Sequence, residues 1–394
     1  MPPSEAEPTT HQRASAGPAD RAEIVVDLDA IAHNVATLRR TAAGAQMMTV
    51  VKADGYGHGI VESARAARAG GADWLGVAVT EEALALRAAG DTGRILSWLA
   101  IPGEDYRPSI EAGVDVTAYT VAEVEEIAAA ARAVGVVARI QLKVDTGLSR
   151  GGSGADQWPQ VVSGAMHAEQ SGAVAVTGVW SHFACSDQPD HPANEGQERA
   201  FRAALGVAEA AGLEPEVRHL ANSAATVLRA SSRFDLVRCG IASYGLTPAP
   251  EVATSADLGL VPAMRVQGRL ALVKRVPAGS GVSYGHAYHT VRDATLGVVP
   301  VGYGDGVPRH ASNAAPVLAA GSQRKIAGRV CMDQFVLDLE DDTAAAGDPF
   351  VLFGTGEHGE PTAQDWAEAC DTISYEIVTR IGGRMVRRHI GGES

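Results

Sequence analysis

An apolar pair, Val50-Val51, runs into Lys52 and then Ala53-Asp54-Gly55-Tyr56-Gly57-His58-Gly59, with three glycines in the last five residues. A lysine at the end of a buried strand is poorly placed for a solvated charge. Burial disfavours its ammonium form, which frees a neutral amine to act as nucleophile or base. The glycines let a ligand approach the backbone, and Tyr56 and His58 add polar groups beside the amine. An ordinary strand end whose lysine reaches water is the alternative. Only four of the 33 basic residues are lysines: Lys52, Lys143, Lys274 and Lys325.

The elements that must position this amine follow from periodicity. A short strand is expected at Ile24–Val26 and a helix from Leu28 to Arg40. Apolar runs then alternate with alanine-rich helical stretches. The runs are Met47–Lys52, Trp74–Val79, Ile95–Leu99, Asp115–Tyr119, Val136–Val144, Val174–His182, Val217–Leu220 and Phe234–Ile241. Eight βα units predict a parallel sheet closed into a (β/α)8 barrel over residues 22–258. An open doubly wound sheet would show GxGxxG after its first strand, and KADGYGHG is not that pattern. Beyond the prolines near 247–262 the grammar changes to short β runs and Gly/Pro turns. These are Arg269–Arg275, Ala294–Val301, Pro316–Leu318, Lys325–Leu339 and Phe350–Phe353. A mainly β C-terminal domain over 259–394 is expected, with helices near Ala363–Ala369 and Tyr375–Ile381.

A barrel makes a demand: residues that do chemistry sit at the C-terminal ends of its strands. Read so, Lys52 closes strand 1, and Lys143 to Arg150 closes strand 5 in a glycine loop. Ser181-His182, Ala221-Asn222-Ser223 and Arg238-Cys239-Gly240-Ile241 close strands 6, 7 and 8. Individually His182 reads as a core histidine, Arg150 and Arg238 as ion-pair partners, and Asn222-Ser223 as a helix cap. Their co-location on one face favours a shared site. Loops after strands 7 and 8 are the usual phosphate site of such barrels. With a lysine on strand 1, they suggest an aldehyde cofactor bound as a Schiff base, pyridoxal 5'-phosphate.

Composition excludes other classes. The 394 residues are 46% apolar and 20% charged, as in an ordinary soluble globular protein, and the net charge is −14. That acidity argues against nucleic acid or an anionic membrane as the main partner. Cys185, Cys239, Cys331 and Cys370 are far apart, suggesting neither a metal site nor a disulfide framework; reduced thiols in the cytoplasm are the simpler reading. Residues 1–21 read as a disordered tail, and no apolar run reaches membrane-spanning length.

Val51-Lys52-Ala53-Asp54-Gly55-Tyr56-Gly57-His58-Gly59 resembles the pyridoxal-phosphate signature of bacterial alanine racemases. The resemblance continues through Val144-Asp145-Thr146-Gly147-Leu148, His182-Phe183, Ala221-Asn222-Ser223-Ala224 and Arg238-Cys239-Gly240-Ile241. In the second domain it takes in Val282-Ser283-Tyr284-Gly285, Pro300 to Gly306, Gly328 to Gln334 and Ile373-Ser374-Tyr375-Glu376. It implies a homodimer in which Lys52 carries the cofactor and acts on D-alanine, while Tyr284, from the partner chain, acts on L-alanine. A phenol is a weak base until its surroundings favour the phenolate; His182 and Arg238 look like the relay that supplies such surroundings.

The resemblance also implies a phosphate held by Tyr56, Ser223, Gly240, Ile241 and Tyr375, with Asn222 beside it. Arg238 would face the cofactor's ring nitrogen. Arg150 would bind the cofactor's phenolic oxygen and the substrate carboxylate, and the Met332 N–H the same carboxylate. Lys143 matches a position carbamylated in many relatives; Tyr303, Arg309 and Asp333 match residues lining the substrate's way in. Ser149 departs from the pattern, standing where glycine is common. Rival readings are a serine or broader small-amino-acid racemase on the same scaffold and a related decarboxylase using Cys331. A single-barrel pyridoxal-phosphate carrier is the third, and it would lack the second domain.

Overall fold

Short apolar runs joined by amphipathic alanine-rich stretches bury one sheet face when helices cover it and the other when the sheet closes on itself, and the chain folds accordingly. The computed structural model describes residues 21–392, so the tail expected over 1–21 lies outside the described residues apart from Arg21. The first strand is β1 (Ala22–Asp27). Next come β2 (Gln46–Val50), β3 (Trp74–Val77), β4 (Arg94–Ser97), β5 (Asp115–Ala118) and β6 (Ala138–Lys143). They are followed by β7 (Val174–Trp180), β8 (Val217–His219) and β9 (Leu236–Cys239). Strands β2 to β9 form one parallel sheet in the order β8-β7-β6-β5-β4-β3-β2-β9. The Asp235 N–H donates to the Arg218 carbonyl and the Arg238 N–H to the Ala221 carbonyl, both at 3.0 Å. Strand β9 therefore also meets β8, and the eight strands close into the expected barrel.

The Val121–Val134 helix shows how local sequence sets an outer element. Thr120 accepts from the Glu123 N–H, while the Glu123 carboxylate accepts from the N–H groups of Tyr119 and Thr120. Gly135, at φ +68°, ends the helix, and Val124, Ile127, Ala128 and Ala131 turn one apolar stripe to the sheet.

The second domain holds β10 (Met264–Arg269), β11 (Leu272–Val276), β12 (Gly281–Val282), β13 (Tyr288–His289) and β14 (Ala294–Val299). It continues with β15 (Pro316–Ala319), β16 (Ser322–Lys325), β17 (Phe335–Asp338), β18 (Pro349–Phe353) and β19 (Val386–Ile390). Helices Ala363–Ala369 and Ser374–Arg380 stand where helices are expected. Strand β1, counted with the barrel from sequence, joins this domain instead. It pairs antiparallel with β10 and parallel with β19 inside a six-stranded sheet. The expected run Lys325–Leu339 is two strands, and the loop between them carries Met332 and Asp333. Among the described residues no helix is long and apolar enough to cross a membrane.

Asp305 ties the second domain to its last strand. Its buried carboxylate accepts from Arg384 Nε and Nη2, both at 2.9 Å, and from the Gly302 N–H at 3.1 Å. Burial alone would raise its pKa, but Arg384 and the Gly302 N–H outweigh it and hold the carboxyl below the usual carboxylate range. A depressed carboxylate contributes stability that is fully present above its unfolded value near 4 and fades as pH falls through the folded value. Asp305→Asn should therefore lower stability at neutral pH by on the order of 2–3 kcal/mol, since Arg384 is half-exposed and regains water. Thermal melts across pH check this: the gap between variant and wild type should narrow below about pH 4.

Candidate active site

Lys52 does not close a strand. Strand β2 ends at Val50, and Lys52 opens a tight turn in which Ala53, Asp54, Gly55 and Tyr56 all take left-handed φ values, from 52° to 63°. Left-handed backbone costs roughly 1–2 kcal/mol per non-glycine residue, so the turn needs outside support. The Glu82 carboxylate accepts from the Ala53 N–H at 2.7 Å and the Ala78 N–H at 2.8 Å. Asp54 accepts from the Ile60 N–H and pairs with Arg387 at 2.7 Å. Held so, the turn points Lys52 into a cavity of about 930 Å³ at the C-terminal mouth of the barrel.

Tyr56, Lys143, Arg150, His182, Asn222, Ser223, Arg238, Gly240 and Ile241 line the same cavity, joined by Tyr375 from the second domain. His58, expected beside the amine, is instead fully buried against Tyr244, its Nδ1 facing the Gly55 and Tyr56 carbonyls. At one end the Gly240 N–H donates to Ser223 Oγ at 2.9 Å, and the Tyr56 ring lies 6.3 Å from that of Tyr375. A Cβ on Gly240 would fall 2.3 Å from Tyr56 Oη, so only glycine leaves this corner open. Asn222 caps the Ser223–Leu228 helix by accepting from the Ala225 N–H and is itself fixed by the Ser186 hydroxyl at 2.8 Å.

The charge balance is one-sided. Burial, then Arg150, lowers the Lys52 pKa, with Glu82 opposing. Burial, then Arg238 and Arg150, lowers Lys143 to about 8. Burial brings the Arg238 guanidinium down to about 9, leaving it charged at neutral pH, and burial beside Arg238 holds His182 well below the usual imidazole range. Asp145 offsets these cations only in part, at Lys143. It accepts from the N–H groups of Gly147, Leu148 and Ser149 and so anchors the loop that ends in Arg150. Ser149 sits at φ +57° in that loop, which explains why glycine suits the position. A buried amine, a ring of cations and a corner of hydroxyls over a bare glycine fit a flat, phosphorylated carbonyl compound.

Sequence reasoning missed four neighbours. Lys52 Nζ lies 5.7 Å from the Trp98 ring, Lys143 Nζ lies 5.5 Å from Tyr119 and 4.5 Å from Trp180, and Arg238 stacks 4.8 Å from Trp180. His219 Nδ1 stands 2.9 Å from Arg238. A two-residue alternation traced inward along β4, β5, β7 and β8 would have found them.

The other second-domain residues gather elsewhere. Tyr284, Tyr303, Met332 and Asp333 share a separate hollow of about 660 Å³ with Cys331. Tyr284 is 70% exposed and Met332 55%, and this hollow shares no lining residue with the barrel cavity. The Tyr303 N–H donates to the Cys331 carbonyl and the Gly304 N–H to the Met332 carbonyl, while Asp333 accepts from Arg384 at 2.6 Å. Cys331 Sγ lies 3.3 Å from Ser283 Oγ. Arg309 is exposed and lines neither space.

Comparison with known proteins accounts for both halves. Residues 26–248 match the family description "Alanine racemase, N-terminal domain" and residues 263–389 match "Alanine racemase, C-terminal domain". An alanine racemase of Thermobifida fusca is 57% identical over 94% of this chain and 98% of its own. One from Frankia casuarinae is 55% identical over 97% and 100%. The crystal structure of alanine racemase from Streptomyces lavendulae superposes with a TM-score of 0.94 at 54% identity, covering 96% of this chain and 99% of that one. The enzyme from Bartonella henselae, solved with covalently bound pyridoxal phosphate, gives 0.85 at 28% identity, covering 95% and 100%. With both domains matched in order and more than half the positions shared with such relatives, the chain belongs to the alanine racemase family.

Proposed function

We propose that this protein interconverts L-alanine and D-alanine with pyridoxal 5'-phosphate carried by Lys52, and that two chains share each site. The observation that carries the reading is the Lys52 amine, lowered in pKa and aimed into a cationic cavity with a hydroxyl-lined corner. When bound, the cofactor supplies a conjugated imine that takes up the electron pair left at the substrate's α-carbon. The hydroxyls of Tyr56, Ser223 and Tyr375 and the backbone at Gly240 and Ile241 would hold its phosphate. Arg150, at the end of the Asp145-anchored loop, would hold the substrate carboxylate.

Racemisation removes a proton on one face of the α-carbon and returns one on the other, so it needs two groups that exchange protons. Lys52 Nζ is one. Tyr284 Oη is the other, and because it lies in a separate, exposed hollow, we assign it to the neighbouring chain's cavity, with the Met332 N–H binding the carboxylate beside it. Exposed Leu99 and Ile373 at the cavity rim suit a protein contact there. Arg238, charged at neutral pH, would face the cofactor's ring nitrogen as a hydrogen-bond donor and so disfavour its protonation. Lys143 has the low pKa that carbamylation requires, which would set an anion against Arg150. The D-alanine formed would serve peptidoglycan assembly from the cytoplasm.

Deuterium exchange at the α-carbon across a panel of L- and D-amino acids tests the substrate. Alanine of both hands should exchange at least about tenfold faster than serine, the range a small pocket achieves for one added group. Serine or lysine exchanging as fast as alanine would replace the alanine assignment with a broader one.

A further inference from the structure

Behind Arg238 a line of buried polar side chains runs the length of the barrel, and the site as described uses only its near end. Asp115 opens β5 at the far end, fully buried. Its carboxylate accepts from Arg139 Nε at 2.9 Å, Thr177 Oγ1 at 2.5 Å, Gln141 Nε2 at 3.3 Å and Arg94 Nη2 at 3.4 Å. Gln141, also fully buried, sits 2.7 Å through Oε1 from His219 Nε2. A Cβ on Gly178 would fall 2.7 Å from the Gln141 amide, so glycine on β7 makes the room this amide needs. His219 Nδ1 lies 2.9 Å from Arg238 Nη1, and Arg238 Nη2 reaches His182 Nδ1 at 3.2 Å and the Ser181 carbonyl at 2.7 Å.

We infer that Asp115 and Gln141 are positioning residues for the active site: together they set the tautomer of His219, and through it the aim of Arg238. A carboxylate only accepts, so the Gln141 atom facing it is the NH2 group, and the Gln141 oxygen faces His219. That oxygen can only accept, so His219 carries its proton on Nε2. A neutral imidazole has one N–H, so Nδ1 is bare and takes a hydrogen bond from the guanidinium. Burial, then the neighbouring Arg238, holds His219 well below the usual imidazole range, consistent with a neutral ring. Trp180 stacks on His219 with centroids 5.6 Å apart and planes 5° apart, so turning the ring to exchange its nitrogens would break this stack. Reversing the amide at Gln141 would move the proton to Nδ1 and set two donors against each other at Arg238.

The inference rests on the proposed function only in its last step, because the tautomer belongs to the cofactor-free protein. Nitrogen-15 NMR of histidine-labelled, cofactor-free protein should show His219 protonated on Nε2. Asp115→Asn should reverse the Gln141 amide and shift the proton toward Nδ1, and Gln141→Met should remove the preference. In the loaded enzyme both variants should lose about 10- to 100-fold in kcat, the range of partners behind an active-site group. They should also raise transamination per turnover, which a general loss of packing would not do. An Nε2–H signal unchanged in both variants would overturn the tautomer, and a changed tautomer with unchanged kcat and partitioning would overturn the positioning role. The stated wild-type tautomer in a protein without racemase activity would overturn the functional reading while supporting the relay.

Discussion

Lys52→Ala is expected to lower racemisation by about 10⁴-fold or more, because one substitution removes both the cofactor's attachment and a proton-transfer group, each large by itself. The fold should survive it. Lys52 rests against Trp98 rather than in the packed interior, and the left-handed turn after it is held by Glu82 and Arg387 through Ala53 and Asp54. Borohydride reduction of the loaded enzyme should fix the cofactor to Lys52 in wild type and to nothing in the variant. With only three other lysines in the chain, peptide mapping decides the matter: a label on Lys143, Lys274 or Lys325 would move the reactive amine and dissolve the proposed mechanism.

Tyr284→Phe is expected to cost about 10²- to 10⁴-fold in turnover, the contribution of one positioned proton-transfer group. At 70% exposure, losing its hydroxyl should change stability by no more than about 0.5 kcal/mol. The loss should be lopsided. Deuterium should still wash into D-alanine, whose proton faces Lys52, while L-alanine becomes nearly inert; equal loss from both hands would reject the two-base scheme. Mixing inactive Lys52→Ala chains with inactive Tyr284→Phe chains carries the test to the assembly. In a mixed dimer one site inherits both defects and the other neither, so random pairing should restore about a quarter of wild-type activity. No recovery under subunit exchange would return Tyr284 to its own chain's cavity.

The barrel was legible because its cause is local. Each βα unit must bury its own apolar face, and eight such faces in a row admit few closures. The site was legible for a related reason: the ends of the barrel strands bring Lys143, His182, Asn222 and Arg238 to one mouth, and the turn after β2 delivers Lys52 to the same place. What escaped was decided by distant partners. The β19 segment, Val-Arg-Arg-His-Ile, sets three basic residues between two apolar ones and gives no strand signal until β1 is set beside it. Lys325–Leu339 reads as one strand because its apolar residues outnumber its turn signals. The break appears only when the loop at Gly328 to Asp333 must present Met332 beside Tyr303. His219 escaped because a lone histidine in an apolar strand looks like core. Alternation along β8 turns it inward, but its role lies in Gln141 and Arg238, which stand on other strands.

The adjacency of β1 and β19 also orders events in time. Glu23 to Asp27 lie in register with Val386 to Ile390, so β1 waits for β19, made long after it, before this edge is covered. Contacts spanning so much chain close slowly, whereas the barrel's neighbouring units can assemble as they emerge. The nascent barrel would stand finished while β1 trails beside it unsealed, a clasp that fastens only when β19 has emerged. Deleting β19 should therefore harm the yield of folded protein more than its barrel, since it leaves one edge of β1 unpaired.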